Sequence, residues 1–309
     1  MQHQDLACGI DISSETLEVC ILQVEGDPIR YTARNTVHGI RRLIPWLKTQ
    51  GVQRIVMEGT GGYELEARGQ FQKAGFQVSV GNPRRIRAYA KGLGKQAKTD
   101  RIDAEMIARY ARAVDQKKDG EPSQGELEIQ DLSKRLRQLK EMCQGERNRR
   151  RFARKSVQES IDRQLRHLGK EIERVEKKIR SLVESDEAMA RKVELLTTQH
   201  KGVGFLTAVG LLTTLPELGK VNRREIAALA GVAPYTRESG KWKGKSFISG
   251  GRIWARRYLY MAALVATRYN ERLREFYERL LANGKAKKLA LTAVMRKLIV
   301  YCNATLRDA

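Results

Sequence analysis

The chain has 309 residues, 41% of them hydrophobic, so it is long enough to bury a core in about two domains and is not disordered throughout. Its 59 Lys and Arg residues against 36 Asp and Glu give a net charge of +23, which favours a polyanionic partner. Four cysteines without a CxxC pair and four scattered histidines argue against a disulfide scaffold and a zinc site.

Strands and helices alternate over the N-terminal third of the chain. Apolar periodicity predicts a β-hairpin over 6–24, a helix over 38–50, a strand over 54–58, a helix over 64–74, a strand over 76–80 and a helix over 98–113. This order predicts an α/β domain with a mixed sheet and flanking helices.

A polar segment over 115–126, with Gly, Pro and Ser, is typical of a linker. Beyond it, apolar residues recur in steps of three and four from Val157 to Leu182, which is a heptad seam. The stretch from Leu132 to Cys143 has the same spacing. A helical hairpin within one chain and a coiled coil between chains both fit this pattern.

The remainder of the chain, after residue 186, has a mainly helical pattern. The sequence HKGVG at 200–204 before a helix over 205–215 predicts a helix-hairpin-helix-like element, whose helix N-terminus can hold a phosphate. Two long helices are predicted over 253–269 and 287–306, and a basic loop rich in Gly and Ser precedes them over 236–252.

Four acids are candidate metal ligands. Asp11 and Glu58 end two predicted strands, and Asp100 and Asp103 share one face of a predicted helix. Taken singly, each acid is explained as a turn, helix-start or exposed residue. Taken together, they match the way ribonuclease-H-like folds hold two divalent ions on a phosphodiester, and Mg²⁺ suits carboxylates combined with phosphate.

The basic loop is the second candidate site. Seven Lys or Arg and one acid lie within 237–257. The serines of this loop either donate hydrogen bonds to phosphates or include a nucleophile towards phosphorus. Ser239, Ser246 and Ser249 all qualify, Tyr235 is a rival, and composition does not rank them. The loop contains no histidine, which argues against a Ser-His-Asp triad.

Two further basic stretches, 84–101 and 134–155, carry net charges of +6 and +8. No basic amphipathic helix with an aromatic face accompanies them, so nucleic acid is favoured over a membrane surface. No signal peptide or apolar run of about 18 residues is present, and we expect a cytoplasmic protein. The predicted nucleic-acid contacts are Arg84, Arg85, Lys98, Arg101, Arg149, Arg150, Arg151, Arg237, Lys241, Lys243, Lys245 and Arg252.

These motifs together resemble a known family. They are GIDIS, MEGTGGYE, KTDRIDAEMIA, GVGFLTAVGLLTTLPELG, IAALAGVAPYTRESGKWKG and YMAALVATRYN with FYERLLANGKAKKLALTAVMRKL. The combination resembles the DEDD transposases of the insertion-sequence family numbered one hundred and ten, the bridge-RNA-guided recombinases. The resemblance covers nearly the whole chain, and Glu238 departs from it where an Asp often precedes the serine.

The resemblance implies a RuvC-like domain over 1–125, a coiled-coil segment over 126–190 and a mainly α-helical transposase domain over 191–309. It implies Mg²⁺ on Asp11, Glu58, Asp100 and Asp103, and a covalent phosphoserine at Ser239 in the RESG motif. It further implies a noncoding bridge RNA that pairs with donor and target DNA, and dimers that assemble into a tetrameric synaptic complex. The expected location is the bacterial cytoplasm, on the nucleoid.

Two alternative functions fit the same residues. A RuvC-like junction nuclease would hydrolyse DNA through water and metal ions without a covalent adduct. A nonenzymatic nucleic-acid-binding protein would be indifferent to Mg²⁺ and would cut nothing.

Overall fold

A computed structural model describes residues 6–23, 26–59, 62–94, 100–113, 123–236, 238–239, 242–244 and 246–309. It describes the backbone alone at Arg84, Asp100, Arg101, Gln124, Glu238, Ser239, Trp242 and Lys243. The chain divides into two compact units, residues 1–121 and 122–309. The predicted boundaries at 125 and 190 stay predictions.

The N-terminal unit is built on one five-stranded sheet with the strand order β3-β2-β1-β4-β5. Strands β1, β2 and β3 are antiparallel, whereas β4 and β5 continue the sheet parallel to β1. The strands are β1 (Ala7–Ile12), β2 (Thr16–Ile21), β3 (Ile29–Arg34), β4 (Arg54–Glu58) and β5 (Gln77–Gly81). The helices are α1 (Val37–Thr49), α2 (Glu64–Lys73), α3 (Pro83–Gly92) and α4 (Asp100–Ala113).

Alternation along the strands explains why helices cover both faces of this sheet. Cys8 and Ile10 of β1 belong to the core that includes residues of α1 and α2, whereas Ala7 packs with residues of α3 and α4. Successive side chains of a strand point to opposite faces, so β1 is apolar on both sides. This mixed α/β arrangement confirms the predicted fold class at that level and is consistent with a ribonuclease-H-like domain.

Helix α4 lies directly on β1 because Gly9 has no side chain. A Cβ atom at Gly9 would stand 2.5 Å from the Ala104 carbonyl oxygen and 2.8 Å from the Ala108 Cα atom. The small residues Ala104 and Ala108 form a buried cluster with Cys20 and Leu22 on the same face. The close approach fixes where the N-terminal half of α4 meets the sheet.

The C-terminal unit begins with a long helical hairpin formed by α5 (Gln124–Phe152) and α6 (Lys155–Ser185). Leu139, Cys143 and Leu168 are buried between its two helices. Ion pairs from Lys178 to Glu128 at 2.6 Å and from Arg150 to Asp162 at 2.5 Å show that the helices run antiparallel. Of the two arrangements left open by the heptads, a hairpin within one chain is the one observed.

The rest of this unit packs around one core, into which the base of the hairpin also packs through Ile129 and Ile179. Its helices are α7 (Glu187–Gln199), α8 (Phe205–Thr214), α9 (Arg223–Leu229), α10 (Ile253–Tyr269), α11 (Glu271–Ala282) and α12 (Lys287–Arg307). Four short strands, β6 (Pro234–Tyr235), β7 (Glu238–Ser239), β8 (Trp242–Lys243) and β9 (Phe247–Ile248), lie between α9 and α10.

Helix α12 is the one helix of the described residues that is long and apolar enough to cross a membrane by length and composition. The sequence analysis found no apolar run of about 18 residues and therefore did not predict this property of α12. One side of α12, including Leu298, Ile299 and Cys302, is fully buried in the core of the C-terminal unit, whereas Leu289 is 51% exposed. Burial of this side is typical of a helix that packs in a protein core.

Two predicted segments differ from the structure, and one helix of the N-terminal unit was not predicted. The linker predicted over 115–126 ends earlier, because Ser123 and Glu126 form a capping box that starts α5 at Gln124. The segment 236–252, predicted as a loop, contains β7, β8 and β9. Helix α3 lies mostly within the basic stretch 84–101 and was not predicted, because its arginines obscured the helical period. Residues 95–99 and 114–122 lie outside the described residues.

Candidate active site

The candidate metal site of the N-terminal unit lies at the end of two neighbouring parallel strands. The register pairs Ile10 of β1 with Met57 of β4, so the next residues, Asp11 and Glu58, face each other across the two strands. Both lie on the face that also carries Gly9 and Val56, which is the face covered by α4. Both acids are partly buried. The two strand ends that carry the predicted acids are therefore neighbours in the sheet, while the predicted convergence of all four carboxylates stays a prediction.

A third acid, Glu18, was not singled out from the sequence. The antiparallel register places it directly across from Asp11 on β2, so the two side chains share a face. Its Oε2 atom accepts a hydrogen bond of 2.8 Å from the Thr32 hydroxyl on β3. The strand alternation in TLEVCI was a signal that could have identified this residue.

Asp103 lies near the start of α4, one residue before Ala104, which packs against Gly9. The side chain of Asp103 is only 15% exposed, and an Arg87 Nη1 atom on α3 lies 4.0 Å from its Oδ1 atom. Asp100 is the first residue of α4. The helix therefore brings its first turn to the sheet face on which Asp11 and Glu58 end.

The chemistry of these residues fits a divalent ion. Carboxylate oxygens are the ligands that Mg²⁺ prefers, and three of the four predicted ligands are positioned by β1, β4 and α4 on one sheet face. Among the side chains that the structure describes, no three His, Cys, Asp or Glu side chains converge on one point. The side chain of Asp100 is outside that set, and the metal site stays a proposal.

Glu105, also on α4, has a different role from these acids. It forms ion pairs with Arg30 on β3 at 2.6 Å and with Arg109 on α4 at 2.9 Å. Burial alone would raise the pKa of Glu105, but the hydrogen bonds and charges of both arginines outweigh burial and lower it. Glu105 therefore fastens α4 to the edge of the sheet.

The candidate nucleophile belongs to the C-terminal unit, which contains a β-ribbon that carries Ser239. Pro234 and Tyr235 pair with Ile248 and Phe247, and further along the same segment Ser239 pairs with Trp242. Two residues of sequence separate Ser239 from its partner, so the backbone of Ser239 belongs to the last described pair of the ribbon. Tyr235, Ser246 and Ser249, the rival nucleophiles, are exposed, so exposure does not rank them.

The backbone segments before and after the ribbon cross each other in close contact at Gly231 and Gly251. We call this crossing the glycine neck. Gly231 and Gly251 have φ values of +69° and +66°, and a Cβ atom at Gly251 would lie 2.8 Å from the Ala228 carbonyl oxygen and still closer to Gly231. Arg256 on α10 donates through Nε to the Gly231 carbonyl at 2.9 Å and through Nη2 to the Gly250 carbonyl. One guanidinium thus joins both ends of the ribbon.

Arg252, a predicted phosphate contact, is held within the protein. Its two terminal nitrogens donate to the carboxylate of Glu217 at 2.5 and 2.6 Å, and its backbone N–H donates to the Leu229 carbonyl at 2.8 Å. Burial alone would raise the pKa of Glu217, but the bonds and charge of Arg252 outweigh burial and lower it. Arg252, Arg256 and Glu217 anchor the neck; sequence analysis missed the roles of the last two.

The other predicted basic contacts lie in several places. Arg85 is exposed on α3, and Arg149, Arg150 and Arg151 form the exposed last turn of α5. Arg149 pairs with Glu146, and Arg150 pairs with Asp162. Lys243 is in β8, and Arg84 and Arg101 are in α3 and α4. Lys98, Arg237, Lys241 and Lys245 are outside the described residues.

The predicted helix-hairpin-helix element lies at the turn between α7 and α8. His200 forms a hydrogen bond of 2.9 Å through Nε2 with the Thr305 hydroxyl, and burial lowers the pKa of His200. Gly202 lies against the backbone of α10, where a Cβ atom would stand 2.6 Å from the Ala262 carbonyl oxygen. The observed contacts of this turn are internal, and phosphate binding there stays a prediction.

Comparison with known proteins identifies the family. The DEDD_Tnp_IS110 model, described as a transposase, matches residues 8–153, and the model of the transposase IS116/IS110/IS902 family matches residues 194–278. The pilin gene-inverting proteins of Moraxella bovis and Moraxella lacunata are each 28% identical to the chain, over 97% of this chain and 95% of theirs. Both family models and the near full-length relatives agree, and the chain belongs to the IS110 family of transposases.

Proposed function

We propose that this transposase is an RNA-guided DNA recombinase that works through a phosphoserine intermediate at Ser239. Asp11, Glu58, Asp100 and Asp103 are its metal-binding acids, and Mg²⁺ is the metal. The observation that supports this most directly is the strand register, which brings Asp11, one residue before the end of β1, beside Glu58, the last residue of β4, on the face covered by α4. Relatives named for inverting a pilin gene support a reaction that rearranges DNA.

The proposed chemistry exchanges one phosphate ester for another. The Ser239 hydroxyl oxygen attacks phosphorus, the bond from phosphorus to a deoxyribose oxygen breaks, and that oxygen takes up a proton. Bound Mg²⁺ supplies positive charge that stabilises the phosphate oxygens. The reverse attack by a deoxyribose hydroxyl rejoins DNA and releases Ser239, so the reaction needs no ATP.

The ribbon contributes position and charge to this step. Arg237, Lys241, Lys243 and Lys245 surround Ser239 in the sequence and can offset the charge on the attacked phosphate. The glycine neck and Arg256 restrict the two ends of the ribbon. A serine at the end of a clamped ribbon is suited to reach a phosphate on a broad DNA surface.

Guidance by a noncoding RNA is the second element of the proposal. The resemblance supports it, and the three basic stretches supply enough charge to bind RNA and DNA together. The protein would act on the nucleoid in the cytoplasm as dimers that form a tetramer on donor and target DNA. A plasmid inversion assay with and without the noncoding DNA that flanks the gene tests this part. Equal recombination without that RNA would contradict it.

The metal-binding acids are tested by removing one carboxylate at a time. Asp11→Asn, Glu58→Gln, Asp103→Asn and Asp100→Ala should each abolish strand cleavage while DNA binding persists, because the ligands and not the phosphate contacts are lost. Glu105→Gln is the matched control, since its carboxylate is engaged with Arg30 and Arg109. Full cleavage by the Asp100→Ala protein would refute the four-acid site.

The two alternatives predict different products. A junction nuclease that uses water should cut DNA without a protein–DNA adduct, and a nonenzymatic binding protein should cut nothing with or without a divalent ion. Denaturing electrophoresis of the reaction separates these cases, because only the proposed recombinase gives a labelled protein band.

A further inference from the structure

The far end of the α5–α6 hairpin carries the most exposed large apolar side chain of the described residues. Phe152, the last residue of α5, is 89% exposed, and Val157 in the first turn of α6 is 49% exposed. An aromatic side chain that becomes buried removes roughly 150–250 Å² from water. The exposed Phe152 ring is therefore available to a partner that covers it.

Phe152 does not hold the turn of the hairpin together. Polar bonds do so: the Gln158 side chain donates to the Ala153 carbonyl at 2.9 Å, and the Val157 N–H donates to the Arg154 carbonyl at 2.9 Å. Below the turn, Arg150 donates two hydrogen bonds to Asp162 at 2.5 and 3.1 Å and so joins the two helices. The turn is therefore formed while the Phe152 ring stays outside the core.

The surroundings of Phe152 are strongly basic. Residues 147–157 contain six Lys or Arg and no acid. Arginines in the last turn of α5 are favourable for the helix dipole, but α6 starts with Arg154 and Lys155 and has no acid in its first turn, where the dipole disfavours cations. Local helix stability does not explain those two charges, whereas an anionic partner does.

We propose that this hairpin tip is a DNA-bending wedge. Arg147, Arg151, Arg154 and Lys155 bind backbone phosphates, and the Phe152 ring enters between two base pairs of duplex DNA. Architectural proteins insert apolar side chains between base steps in this way. Additional phosphate contacts to the bent DNA offset the free-energy cost of the kink. Two copies of the tip repel each other, since each carries six Lys or Arg residues and, in the described part of the chain, only two of them are paired with acids, Glu146 and Asp162, which favours DNA over a second chain as the occupant.

Duplex DNA is favoured over duplex RNA by its groove geometry. The kink of a B-form step opens the minor groove to a short side chain, whereas A-form RNA is recognised mainly through shape, phosphates and 2′-hydroxyls. The inference goes beyond the proposed function. It needs neither Ser239 nor the acids of the N-terminal unit, so the wedge and the phosphoserine chemistry can fail independently.

The test is DNA bending by the full-length protein in a chelating buffer. A duplex with donor and acceptor dyes at its ends should show increased energy transfer with the wild-type and Ser239→Ala proteins. Phe152→Ala should abolish that increase while affinity falls by less than about tenfold, because phosphate contacts provide most of the affinity. Phe152→Leu, which keeps an apolar wedge, should retain most of the bending.

Two controls make the outcome specific. Met142→Ala removes another exposed apolar side chain of α5, away from the tip, and should bend DNA as the wild type does. Arg151→Gln combined with Arg154→Gln should weaken binding and reduce the slope of log affinity against log salt by about two, since about 0.9 counterions are released per phosphate contact. Circular dichroism confirms that each variant keeps its helices.

Unchanged bending by Phe152→Ala would overturn the proposal. So would equal energy transfer on a duplex RNA of the same sequence. A change in the protein's mass in solution without a change in bending would also overturn it, because it would show that Phe152 contacts a second chain.

Discussion

Glu217 and Arg252 form a charged pair next to the start of α10, immediately after the ribbon that carries Ser239. The two hydrogen bonds lower the pKa of the Glu217 carboxyl below its ordinary value of 4.5. The folded protein therefore binds this proton less readily than the unfolded chain. The stabilisation that the ionised Glu217 carboxylate provides is complete at pH values above the ordinary pKa of Glu. It is lost as the pH falls through the lowered pKa of Glu217 in the folded state.

Glu217→Gln should lower the free energy of unfolding by about 1 kcal/mol near neutral pH, because a charged but partly exposed bond is removed. The difference from the wild type should shrink as the pH falls below 4.5. Denaturant unfolding at a series of pH values measures this. A difference that stays constant with pH would show that the ionised pair does not contribute.

The choice of Ser239 shows what residue-level reasoning can and cannot supply. The composition of the loop left Ser239, Ser246 and Ser249 equivalent, and exposure in the structure leaves the described rivals equivalent as well. Only the RESG motif ranks them. Geometry adds that the Ser239 backbone pairs with Trp242 in a ribbon and does not lie in an irregular loop.

At the scale of elements, the contact between α4 and β1 positions the acids. Gly9→Ala should push α4 away from the sheet and cost about 1–3 kcal/mol, because the new methyl group meets backbone atoms of Ala104 and Ala108. The rate of strand cleavage should also fall in the Gly9→Ala protein, because the first turn of the displaced α4 carries Asp100 and Asp103. DNA affinity should change little.

Gly69→Ala is the control for this substitution. Gly69 lies in α2, and a Cβ atom there would meet no atom within 4 Å. The change should stabilise the protein by about 0.5–1 kcal/mol and leave cleavage intact. Thermal unfolding and a cleavage assay on both variants decide the matter, and full cleavage by Gly9→Ala would show that the position of α4 is unimportant.

The ribbon neck offers a matched pair of adjacent glycines. Gly250 and Gly251 have φ values of +65° and +66°, but a Cβ atom meets nothing within 4 Å at Gly250 and meets Gly231 at Gly251. Gly250→Ala should cost about 1–2 kcal/mol from backbone strain alone. Gly251→Ala should cost about 1–3 kcal/mol more and reduce adduct formation further, because the crossing is displaced.

The yield of protein–DNA adduct and the unfolding free energy of both variants measure the effect. Equal behaviour of the two substitutions would mean that the crossing at Gly231 does not hold the ribbon.

The hairpin is the element for which the sequence allowed two arrangements. Leu168 is 2% exposed between α5 and α6, so Leu168→Ala should lower the free energy of unfolding by about 2–5 kcal/mol without changing the protein's mass in solution. The control Val157→Ala, at an exposed position, should cost less than about 0.5 kcal/mol. Loss of a dimer in the Leu168→Ala protein would show that the seam is shared between chains.

At the scale of the whole molecule, strong periodicity was predictable and context-dependent elements were not. Strand β4 and helix α10 have the predicted bounds, because a buried apolar run and a helical apolar stripe are unambiguous. Helix α3 was missed because its arginines hide the buried Ile86 and Ala90. Strand β3 was missed because most of its residues are exposed at the sheet edge.

The same distinction applies to the candidate site. The positions of Asp11 and Glu58 near the ends of two strands followed from sequence, because each comes after a buried apolar run; their parallel pairing was seen only in the structure. Glu18 and Arg256 did not, because their roles depend on antiparallel register and on two carbonyls that lie 25 and 6 residues away in sequence. Local sequence patterns do not specify which residues of two different segments pair with each other.

The identity of the covalently linked residue tests the central proposal most directly. The protein is incubated with labelled substrate DNA, its guide RNA and Mg²⁺, denatured and digested, and the labelled peptide is mapped. We predict a phosphodiester-derived link on Ser239, no adduct from the Ser239→Ala protein, and normal DNA and RNA binding by that variant. An adduct that persists in Ser239→Ala, or a link that maps to Tyr235 or Ser246, would contradict the account.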